Sequence, residues 1–415
     1  MRWIAFLLSL CWITPCWASI QILTGSNNTL STTLTVYAHP SGSAFASAEN
    51  SKAMLMSTSG TFKGLRVVLS GVPDNGAGTD SYTFAFMVEG VASAIGCPIS
   101  ETQTSCTDTD AVNVVAGDMV SLQSVPANTP ASRNAQWTMQ FIPSVHGEYV
   151  YGGSSSSALS TAFVQFSPLG SVPGASTSES IRETLMPTGG IVDDLYVELA
   201  SAPGAGTNYA FTIRKCDPTC ADELLACTIA DAETTCNNST AVSFLPGHRL
   251  TLESDPTGSV VASIVNWGVI IRPSNPDTFP LFLSSGDSTS GTATEYGPVH
   301  GALSYDITEG DVQAIFFPLV FRKMFVRLNL SPGAGTSYFY NLRISGRNGG
   351  LSCLIPDTGT DCNGSADELV TAYDEAALRI LPANTPAART TTVGYLVSPA
   401  GATLEGATLQ GATVQ

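Results

Sequence analysis

Positive charge and long apolar segments are both scarce in this 415-residue chain. Lys and Arg together number 17, against 34 Asp and Glu residues, which gives a formal net charge of -17. A surface this acidic repels phosphate backbones, so we expect no nucleic-acid partner. After the first residues no stretch approaches the ~20 apolar residues that span a bilayer, so we predict no transmembrane segment in the mature chain.

Recognisable catalytic patterns are missing as well. No Gly-x-Ser-x-Gly nucleophile turn occurs. The four histidines occupy no repeated position, and we expect His146 and His300 in turns or at the surface. A catalytic His39 or His248 would need a carboxylate or nucleophile that the sequence does not place beside it. We predict that the protein is not an enzyme, with a cryptic hydrolase as the third alternative because a glycosidase carboxylate pair leaves no sequence pattern.

The amino terminus has the pattern of a secretory signal. Arg2 precedes an apolar run from Trp3 to Trp12, and the small residue Ala18 fits the end of a cleavage site. We assign residues 1–18 to a signal peptide and predict a secreted protein or one on the extracellular surface. A retained membrane anchor is the alternative for this short apolar run.

Three Gly-rich segments recur at the spacing of a whole domain. Their shared glycines are Gly78, Gly206 and Gly335, which lie 128 and 129 residues apart. Each segment follows an apolar run and precedes a run in which large apolar residues alternate with period two. We interpret each segment as the loop of a β-hairpin, where Gly supplies positive φ angles. The alternating sets are Tyr82, Phe84 and Phe86; Tyr209, Phe211 and Ile213; and Tyr338, Tyr340 and Leu342.

A cysteine pair enclosing eight residues also recurs in each repeat. Removal of Cys11 and Cys16 with the signal leaves an even number of cysteines, which favours disulfides in an exported chain. The repetition selects local pairing, and two further cysteines form a fourth pair. A zinc site formed by the four cysteines of the second repeat is the alternative. The predicted pairs are Cys97 with Cys106, Cys216 with Cys220, Cys227 with Cys236, and Cys353 with Cys362.

Frequent turns, short alternating runs and little helical periodicity predict an all-β protein. We expect three tandem β-sandwich modules, of jelly-roll type and pinned by disulfides. Residues 366–381 have a helix-like pattern but align with strands of the other repeats, so we predict strand there. The modules can form a pseudo-threefold cluster or lie as beads on a string.

Composition and aligned terminal strands give the domain boundaries. Module 1 takes residues 19–143 and includes an amino-terminal arm, module 2 takes 144–273, and module 3 takes 274–400. The last residues, 401–415, form a Gly-Ala-Thr tail that resembles a pentapeptide repeat.

The repeated segments also resemble a known class of modules. They are the turn Pro332-Gly-Ala-Gly-Thr-Ser-Tyr338, the eight-residue Cys loop, and Pro126-Ala-Asn-Thr-Pro130, which returns as Pro382-Ala-Asn-Thr-Pro386. Together they resemble repeated jelly-roll-like β modules of uncharacterised phage and environmental bacterial surface proteins. The resemblance covers nearly the whole mature chain and implies an exposed structural or adhesive part. It offers no catalytic residue.

Aromatic residues are the first candidates for a binding surface. Trp137 and Trp267 hold equivalent positions in two repeats, which favours a core role, with a glycan-binding platform as the alternative. Tyr149 and Tyr151 fit either a binding face or a half-buried strand.

Ions and modifications supply the remaining candidates. We predict no cofactor, although calcium suits the oxygen ligands of the acidic loops best. Those acids are Asp108, Asp110, Asp357, Asp361, Asp367 and Glu368. Candidate glycosylation sequons occur at Asn27, Asn237, Asn238, Asn329 and Asn363.

Export, repetition and the lack of a chemical constellation lead to one functional hypothesis. We expect a secreted or cell-surface structural or adhesive protein that acts by binding or self-assembly, with a filament subunit as one form. Its partners would be copies of itself or a cell-surface or glycan partner, and a carbohydrate-binding β-sandwich array is the alternative. For assembly, the arm at 19–36 or the tail at 401–415 would add a strand to a neighbour.

Overall fold

The computed structural model describes residues 19–27, 29–76, 78–217, 219–284 and 286–400. The assigned signal peptide and the Gly-Ala-Thr tail lie outside these residues. The described chain is built from β-strands and three short 3₁₀ helices, Glu49–Ser51, Glu179–Ile181 and Glu309–Asp311.

Ten strands make up module 1. They are β1 Gln21–Asn27, β2 Val36–Ala38, β3 Met54–Leu55, β4 Gly60–Leu69, β5 Ser81–Val88, β6 Val91–Ser100, β7 Ser105–Thr107, β8 Ala111–Val114, β9 Met119–Ala127 and β10 Ala135–Pro143. One antiparallel sheet has the order β1-β10-β4-β7, with β8 also beside β4. The second has the order β2-β9-β5-β6, with β3 also beside β9.

Module 2 repeats this arrangement with ten strands. They are β11 Tyr149–Ser154, β12 Gln165–Ser167, β13 Thr184–Leu185, β14 Gly190–Leu199, β15 Gly204–Cys216, β16 Cys220–Asp231, β17 Thr235–Asn238, β18 Val242–Phe244, β19 Arg249–Thr257 and β20 Val265–Pro273. The sheet orders are β11-β20-β14-β17, with β18 beside β14, and β12-β19-β15-β16, with β13 beside β19.

Module 3 has nine strands in the same order. They are β21 Phe279–Leu283, β22 Glu295–Gly297, β23 Ala314–Ile315, β24 Leu319–Leu328, β25 Ser337–Ile344, β26 Arg347–Pro356, β27 Asp361–Val370, β28 Glu375–Ala383 and β29 Thr391–Pro399. The sheet orders are β21-β29-β24-β27 and β22-β28-β25-β26, with β23 beside β28. The predicted strand character of 366–381 is therefore confirmed.

The strand order identifies the jelly roll. If β2 with β3 and β7 with β8 are each counted as one interrupted strand, module 1 has eight strands, ordered 1-8-3-6 in one sheet and 2-7-4-5 in the other. Modules 2 and 3 follow the same order. This pairing of two four-stranded antiparallel sheets is the double Greek key of a jelly roll. The predicted all-β sandwich architecture is confirmed.

Alternating aromatic residues fill the space between the sheets. Tyr82, Phe84 and Phe86 on β5 are each 0% exposed, as are their counterparts on β15 and β25. Because successive side chains of a strand point to opposite faces, this period-two set covers the inner face of the sheet. Burial of such large side chains contributes ~1.5–3 kcal/mol each in transfer free energy.

The Gly-rich segments do not close hairpins, so that part of the sequence interpretation is wrong. In module 1 the segment joins β4 to β5, which belong to opposite sheets. The glycines do take positive φ angles, 74° at Gly78, 74° at Gly206 and 76° at Gly335. An alternating run on each side of a turn is common to a hairpin and to an arch between sheets, so the pattern alone does not separate them.

The two repeated motifs lie side by side. In module 3 the Tyr338 hydroxyl donates to the Ala387 carbonyl at 3.0 Å, and the Ala387 N–H donates to the Pro332 carbonyl at 2.9 Å. In module 1 the Tyr82 hydroxyl donates to the Ala131 carbonyl at 3.1 Å in the same way. In module 2, which lacks the Pro-Ala-Asn-Thr-Pro segment, the Tyr209 hydroxyl donates to the Val261 carbonyl at 3.3 Å, so this link between the two loops is kept in all three modules.

Each repeated cysteine pair lies at disulfide distance and joins the two sheets of one module. Cys97 on β6 is bonded to Cys106 on β7, and the equivalent pairs are Cys227 with Cys236 and Cys353 with Cys362. The fourth pair, Cys216 with Cys220, closes the β15–β16 hairpin. Modules 1 and 3 have two-residue turns with positive φ at that hairpin, Glu89-Gly90 and Ser345-Gly346.

The three modules close into a ring. β3 of module 1 packs against β11, β14 and β20 of module 2, and β13 of module 2 packs against β21, β24 and β29 of module 3. β23 of module 3 then packs against β1 and β10 of module 1. Because equivalent strands make all three contacts in a head-to-tail cycle, the arrangement is a closed pseudo-threefold ring.

Hydrogen bonds cross every interface of the ring. The Asn266 amide in module 2 donates to the Asn50 and Ala53 carbonyls of module 1, each at 2.9 Å. The Thr24 hydroxyl in module 1 donates to the Ile315 carbonyl of module 3 at 2.8 Å. The Tyr151 hydroxyl in module 2 donates to the Pro280 carbonyl of module 3 at 2.6 Å.

The amino-terminal arm is part of module 1 rather than a free segment. Gln21–Asn27 pairs along its whole length with β10, and the Gln21 amide also bonds to the Val150 backbone of module 2. Strand donation by this arm to a neighbour would therefore require it to leave its own sheet.

Ring closure predicts a strong effect of a single methyl group at Gly268. A Cβ atom there would lie 1.9 Å from the Leu55 carbonyl oxygen of module 1. We expect Gly268→Ala to lower the free energy of unfolding by ~1–3 kcal/mol, as overpacking does. Chemical denaturation followed by fluorescence measures the change. Gly310→Ala is the matched control, because its Cβ would meet only the Gln313 side chain at 4.0 Å, and an equal loss in both variants would contradict the tight interface.

The disulfides give a second prediction. We expect Cys97→Ser with Cys106→Ser to lower the free energy of unfolding by about 2.5–3 kcal/mol, and Cys216→Ser with Cys220→Ser by about 2, because the second pair closes a shorter loop. Non-reducing peptide mapping identifies the pairs, and denaturation measures the losses. A disulfide that joins peptides from two different modules would contradict the local pairing.

Candidate functional site

Four loops meet at one end of each module. In module 1 they precede β2, join β4 to β5, join β6 to β7, and join β9 to β10. Acidic and amide side chains order them: the Asp357 carboxylate accepts from the Gly335 N–H at 2.7 Å, and the Asn384 amide donates to the Gly335 carbonyl at 2.9 Å. We call this set of four loops the loop end of a module.

A repeated serine turn in the loop end escaped the sequence interpretation. The Ser31 hydroxyl accepts from the Leu34 N–H, and the Ser160 hydroxyl accepts from the Phe163 N–H, both at 2.9 Å. Ser290 does the same in module 3. The three serines lie 129 and 130 residues apart, which is the length of the repeat, and this spacing could have identified the turn from the sequence.

Two equivalent clefts lie at the interfaces between consecutive modules. The first cleft, about 380 Å³, is lined by Leu55 and Gly117 of module 1 and by the Tyr196, Glu198 and Asn237 region of module 2. The second cleft, about 260 Å³, places Leu185 and Gly247 of module 2 against module 3. Its wall in module 3 is Phe325, Val326, Arg327, Asp361, Cys362 and Asn363.

The equivalent space at the third interface is filled by the chain itself. Tyr373 stands where the other clefts have Gly117 and Gly247, and Arg66 stands where they have an aromatic ring. The Arg66 guanidinium carbon lies 4.0 Å from the centre of the Tyr373 ring, a cation–π contact. Phe317 packs beside the same ring, with 6.5 Å between the ring centres.

Two histidines are buried where the modules meet. His300 lies in a bend between strands, as one of its two expected positions required, but the expected surface position is wrong. His39 and His300 are 0% and 1% exposed. Burial, together with neighbouring His300 and Lys52, lowers the pKa of His39 to about 3, while a contact with the Gly152 backbone opposes the shift. Burial lowers the pKa of His300 to about 4. Both rings are therefore neutral near pH 7.

The other two histidines have carboxylate partners. His146 Nε2 lies 3.2 Å from the Asp277 carboxylate, and His248 Nε2 lies 2.9 Å from that of Asp217. The first pair joins modules 2 and 3, which makes it a contact of the ring.

The acidic residues considered for calcium bind the chain's own backbone and arginines. Asp108 accepts from the Gly96 N–H and the Asp110 N–H, at 2.7 and 2.8 Å. Glu368 accepts from the Gly350 N–H at 2.7 Å, and Asp367 is paired with an arginine. Four of the six acids, Asp108, Asp357, Asp367 and Glu368, therefore have structural partners within the chain.

The four cysteines of the zinc alternative are all paired as disulfides. Glu179, Cys216 and Cys220 are grouped closely enough to hold a metal, and they are the one such group among the described residues. Because Cys216 and Cys220 are bonded to each other, the disulfide explains the grouping better than a metal.

Aromatic residues proposed for sugar binding are buried. Trp137 and Trp267 are each 0% exposed, which confirms their core role and excludes them as a glycan platform. Tyr149 and Tyr151 are 0% and 2% exposed, and both donate to carbonyls of module 3. They are interface residues of the ring.

The candidate glycosylation asparagines differ in their surroundings. Asn237 and Asn363 are exposed and line the first and second clefts. The Asn238 amide donates to the Ala226 carbonyl at 2.7 Å, and the Asn329 side-chain oxygen accepts from the Thr390 N–H at 3.2 Å. The side chain of Asn27 lies outside the described residues.

Comparison with known proteins adds no relative. No protein-family model matches the chain, and no curated protein matches it. The resemblance to phage and bacterial surface modules stays a prediction. Within the described residues, no helix has the length and apolar character needed to cross a membrane.

The buried histidines predict a pH dependence of stability. Their folded pKa values lie below the ordinary 6.5, so the unfolded chain binds more protons as pH falls through 6.5. We expect the free energy of unfolding to fall by about 2 kcal/mol for each histidine between pH 7 and pH 5. Denaturant titrations across this range measure the slope.

Replacement of both histidines isolates their part of that slope. His39→Gln with His300→Gln should flatten the pH dependence, whereas His146→Gln, which removes a half-exposed histidine, should leave most of it. An unchanged slope in the double variant would contradict the assignment.

Proposed function

We propose that this chain is a secreted or cell-surface structural or adhesive protein that acts by binding. The ring of modules carries the proposal. Equivalent loop ends of a pseudo-threefold ring are related by rotation about one axis, so they lie at the same height along that axis at ~120° intervals. One chain thus presents three copies of a loop surface in a fixed geometry.

Fixed repetition suits adhesion. A surface that carries repeated receptors can engage several loop ends of one molecule, and avidity can then exceed the single-site affinity by ~10²–10⁴. In module 3, hydrogen bonds from Asp357 and from Asn384 of the Pro-Ala-Asn-Thr-Pro segment to Gly335 of the Gly-rich turn order the loop end before binding, which reduces the entropy lost on association.

Self-assembly is the second form of the proposal. The surfaces that pack the modules head to tail are already used within the chain. A filament would therefore need other contacts, such as the Gly-Ala-Thr tail outside the described residues.

Trivalent adhesion is tested at three equivalent exposed positions. The positions are exposed and lie in equivalent loops: Thr102 in the β6–β7 loop, Ala232 in the β16–β17 loop and Thr358 in the β26–β27 loop. We expect substitution by Arg in one module to weaken binding of the fluorescent mature chain to producing cells, and substitution in all three to abolish it. Flow cytometry at graded concentrations measures both effects.

The control changes the opposite end of a module. Ala92 is exposed beside the β5–β6 hairpin, at the far end of β5 from the Gly-rich turn. Ala92→Arg should leave cell binding unchanged. Sedimentation velocity of the same samples reports self-assembly. No cell binding and no self-assembly, together with substrate turnover abolished by one carboxylate substitution, would replace the proposal with a hydrolase.

A further inference from the structure

The open clefts differ from the filled one in a consistent set of residues. In the first cleft, Tyr196 of module 2 is the cross-strand neighbour of Asn237. In the second cleft, Phe325 of module 3 is the cross-strand neighbour of Asn363. Both aromatic side chains are half-buried, and both asparagines are exposed.

At the third interface the same two positions are Arg66 and Thr107, which bond to each other at 3.1 Å. An aromatic ring beside an exposed sequon asparagine therefore occurs in both open clefts. At the filled third interface, neither the aromatic residue nor the asparagine is present.

Glycine keeps the two clefts open. A Cβ atom on Gly117 or Gly247 would meet nothing within 4 Å. The equivalent residue in module 3 is Tyr373, whose ring occupies that space over Arg66. The third interface shows that a six-membered ring fits between the loop before β28 and the module wall.

The remaining lining residues suit hydroxyl groups. Each open cleft adds a carboxylate, Glu198 in the first and Asp361 in the second, to the asparagine amide. A pyranose ring stacks its apolar C–H face on an aromatic side chain, while its hydroxyls bond to amides and carboxylates. The first cleft, about 380 Å³, lies near the low end of the ~300–1,000 Å³ usual for small-molecule sites, and the second, about 260 Å³, lies just below it, which limits each cleft to one or two sugar rings.

We propose that each open cleft binds one pyranose ring, which stacks on Tyr196 in the first cleft and on Phe325 in the second. Tyr373 blocks the equivalent site at the third interface. This inference rests on the binding role proposed above and names a ligand class for it. A pyranose ring can come from two sources with the same chemistry, a saccharide of a partner surface or an N-linked glycan on Asn237 and Asn363. The attached glycan is in reach because directly opposed residues of a sheet are ~4.5–5.5 Å apart at Cβ, and each asparagine lies opposite the aromatic residue.

The first arm tests free saccharide on protein made without glycosylation. N-acetylglucosamine and its short oligomers are titrated by calorimetry and by saturation-transfer NMR. We expect two sites for each chain, one site in Tyr196→Leu and one in Phe325→Leu. The control Phe163→Leu changes an aromatic side chain that is 67% exposed and lies outside both clefts, and should keep two sites.

The second arm tests the attached glycan on protein from a host that performs N-glycosylation. Mass spectrometry should find sugar at Asn237 and Asn363. Tyr196→Leu and Phe325→Leu should then lower the thermal midpoint more in the glycosylated protein than after enzymatic deglycosylation. If the Tyr196 and Phe325 side chains had only a structural role, their replacement would lower the thermal midpoint of both forms by the same amount.

A gain of function completes the test. Arg66→Tyr, Thr107→Asn and Tyr373→Gly together give the third interface the aromatic ring, the amide and the glycine of the first, and should add a third site. Absence of saturable sugar binding together with bare Asn237 and Asn363 overturns the inference, as does sugar binding that ignores Tyr196 and Phe325. Cell binding that depends on Thr102, Ala232 and Thr358 but persists in the cleft variants would overturn this inference while the adhesive function stands.

Discussion

The ring depends on close approach of backbones between modules. A two-residue strand from one jelly roll lies directly on a sheet of the next. At two of the three interfaces Gly268 and Gly394 leave room for it, and at the third the equivalent residue is Thr138. A Cβ atom on either glycine would reach within 2.3 Å of a leucine carbonyl. The aromatic cores would stabilise three separate sandwiches, whereas these glycines allow the sandwiches to become one body with neutral histidines buried at their junction.

Covalent linkage of the three modules permits them to differ. In a ring of identical subunits every interface must use the same residues, because symmetry repeats each of them. Here the equivalent wall positions are Tyr196, Phe325 and Arg66, and the opposing positions are Gly117, Gly247 and Tyr373. Two interfaces are left open and the third is packed, which a homotrimer cannot achieve with one sequence.

Much of the fold could be predicted from repetition. Period-two runs such as Tyr82 to Phe86 identify strands because burial alternates with the pleat, and two tryptophans at aligned positions indicate the core. The cysteine spacing indicated a local link because it recurred three times. All these signals are local in sequence or repeat with the module.

The parts that escaped prediction are contacts between distant segments. Whether the Gly-rich turn returns to its own sheet or crosses to the other is decided by strand pairing far along the chain. The sequence Val299-His300-Gly301 does not separate a buried bend from a surface turn, because the segment meets module 1 only in the fold, where Gly301 lies against the backbone of Ser41 and Gly42. The clefts depend on residues from two modules, so only the structure could bring Gly117 opposite Tyr196.

Closure of the ring also changes how the molecule can come apart. In a linear array of repeats the two end units are supported on one side only, and they fray first. This chain has no end unit, since every module is held by two neighbours. Opening any one module breaks two interfaces at once, so partly open forms are rare and proteases that attack such forms find few targets. For the exported protein proposed above, the closed topology would then slow degradation.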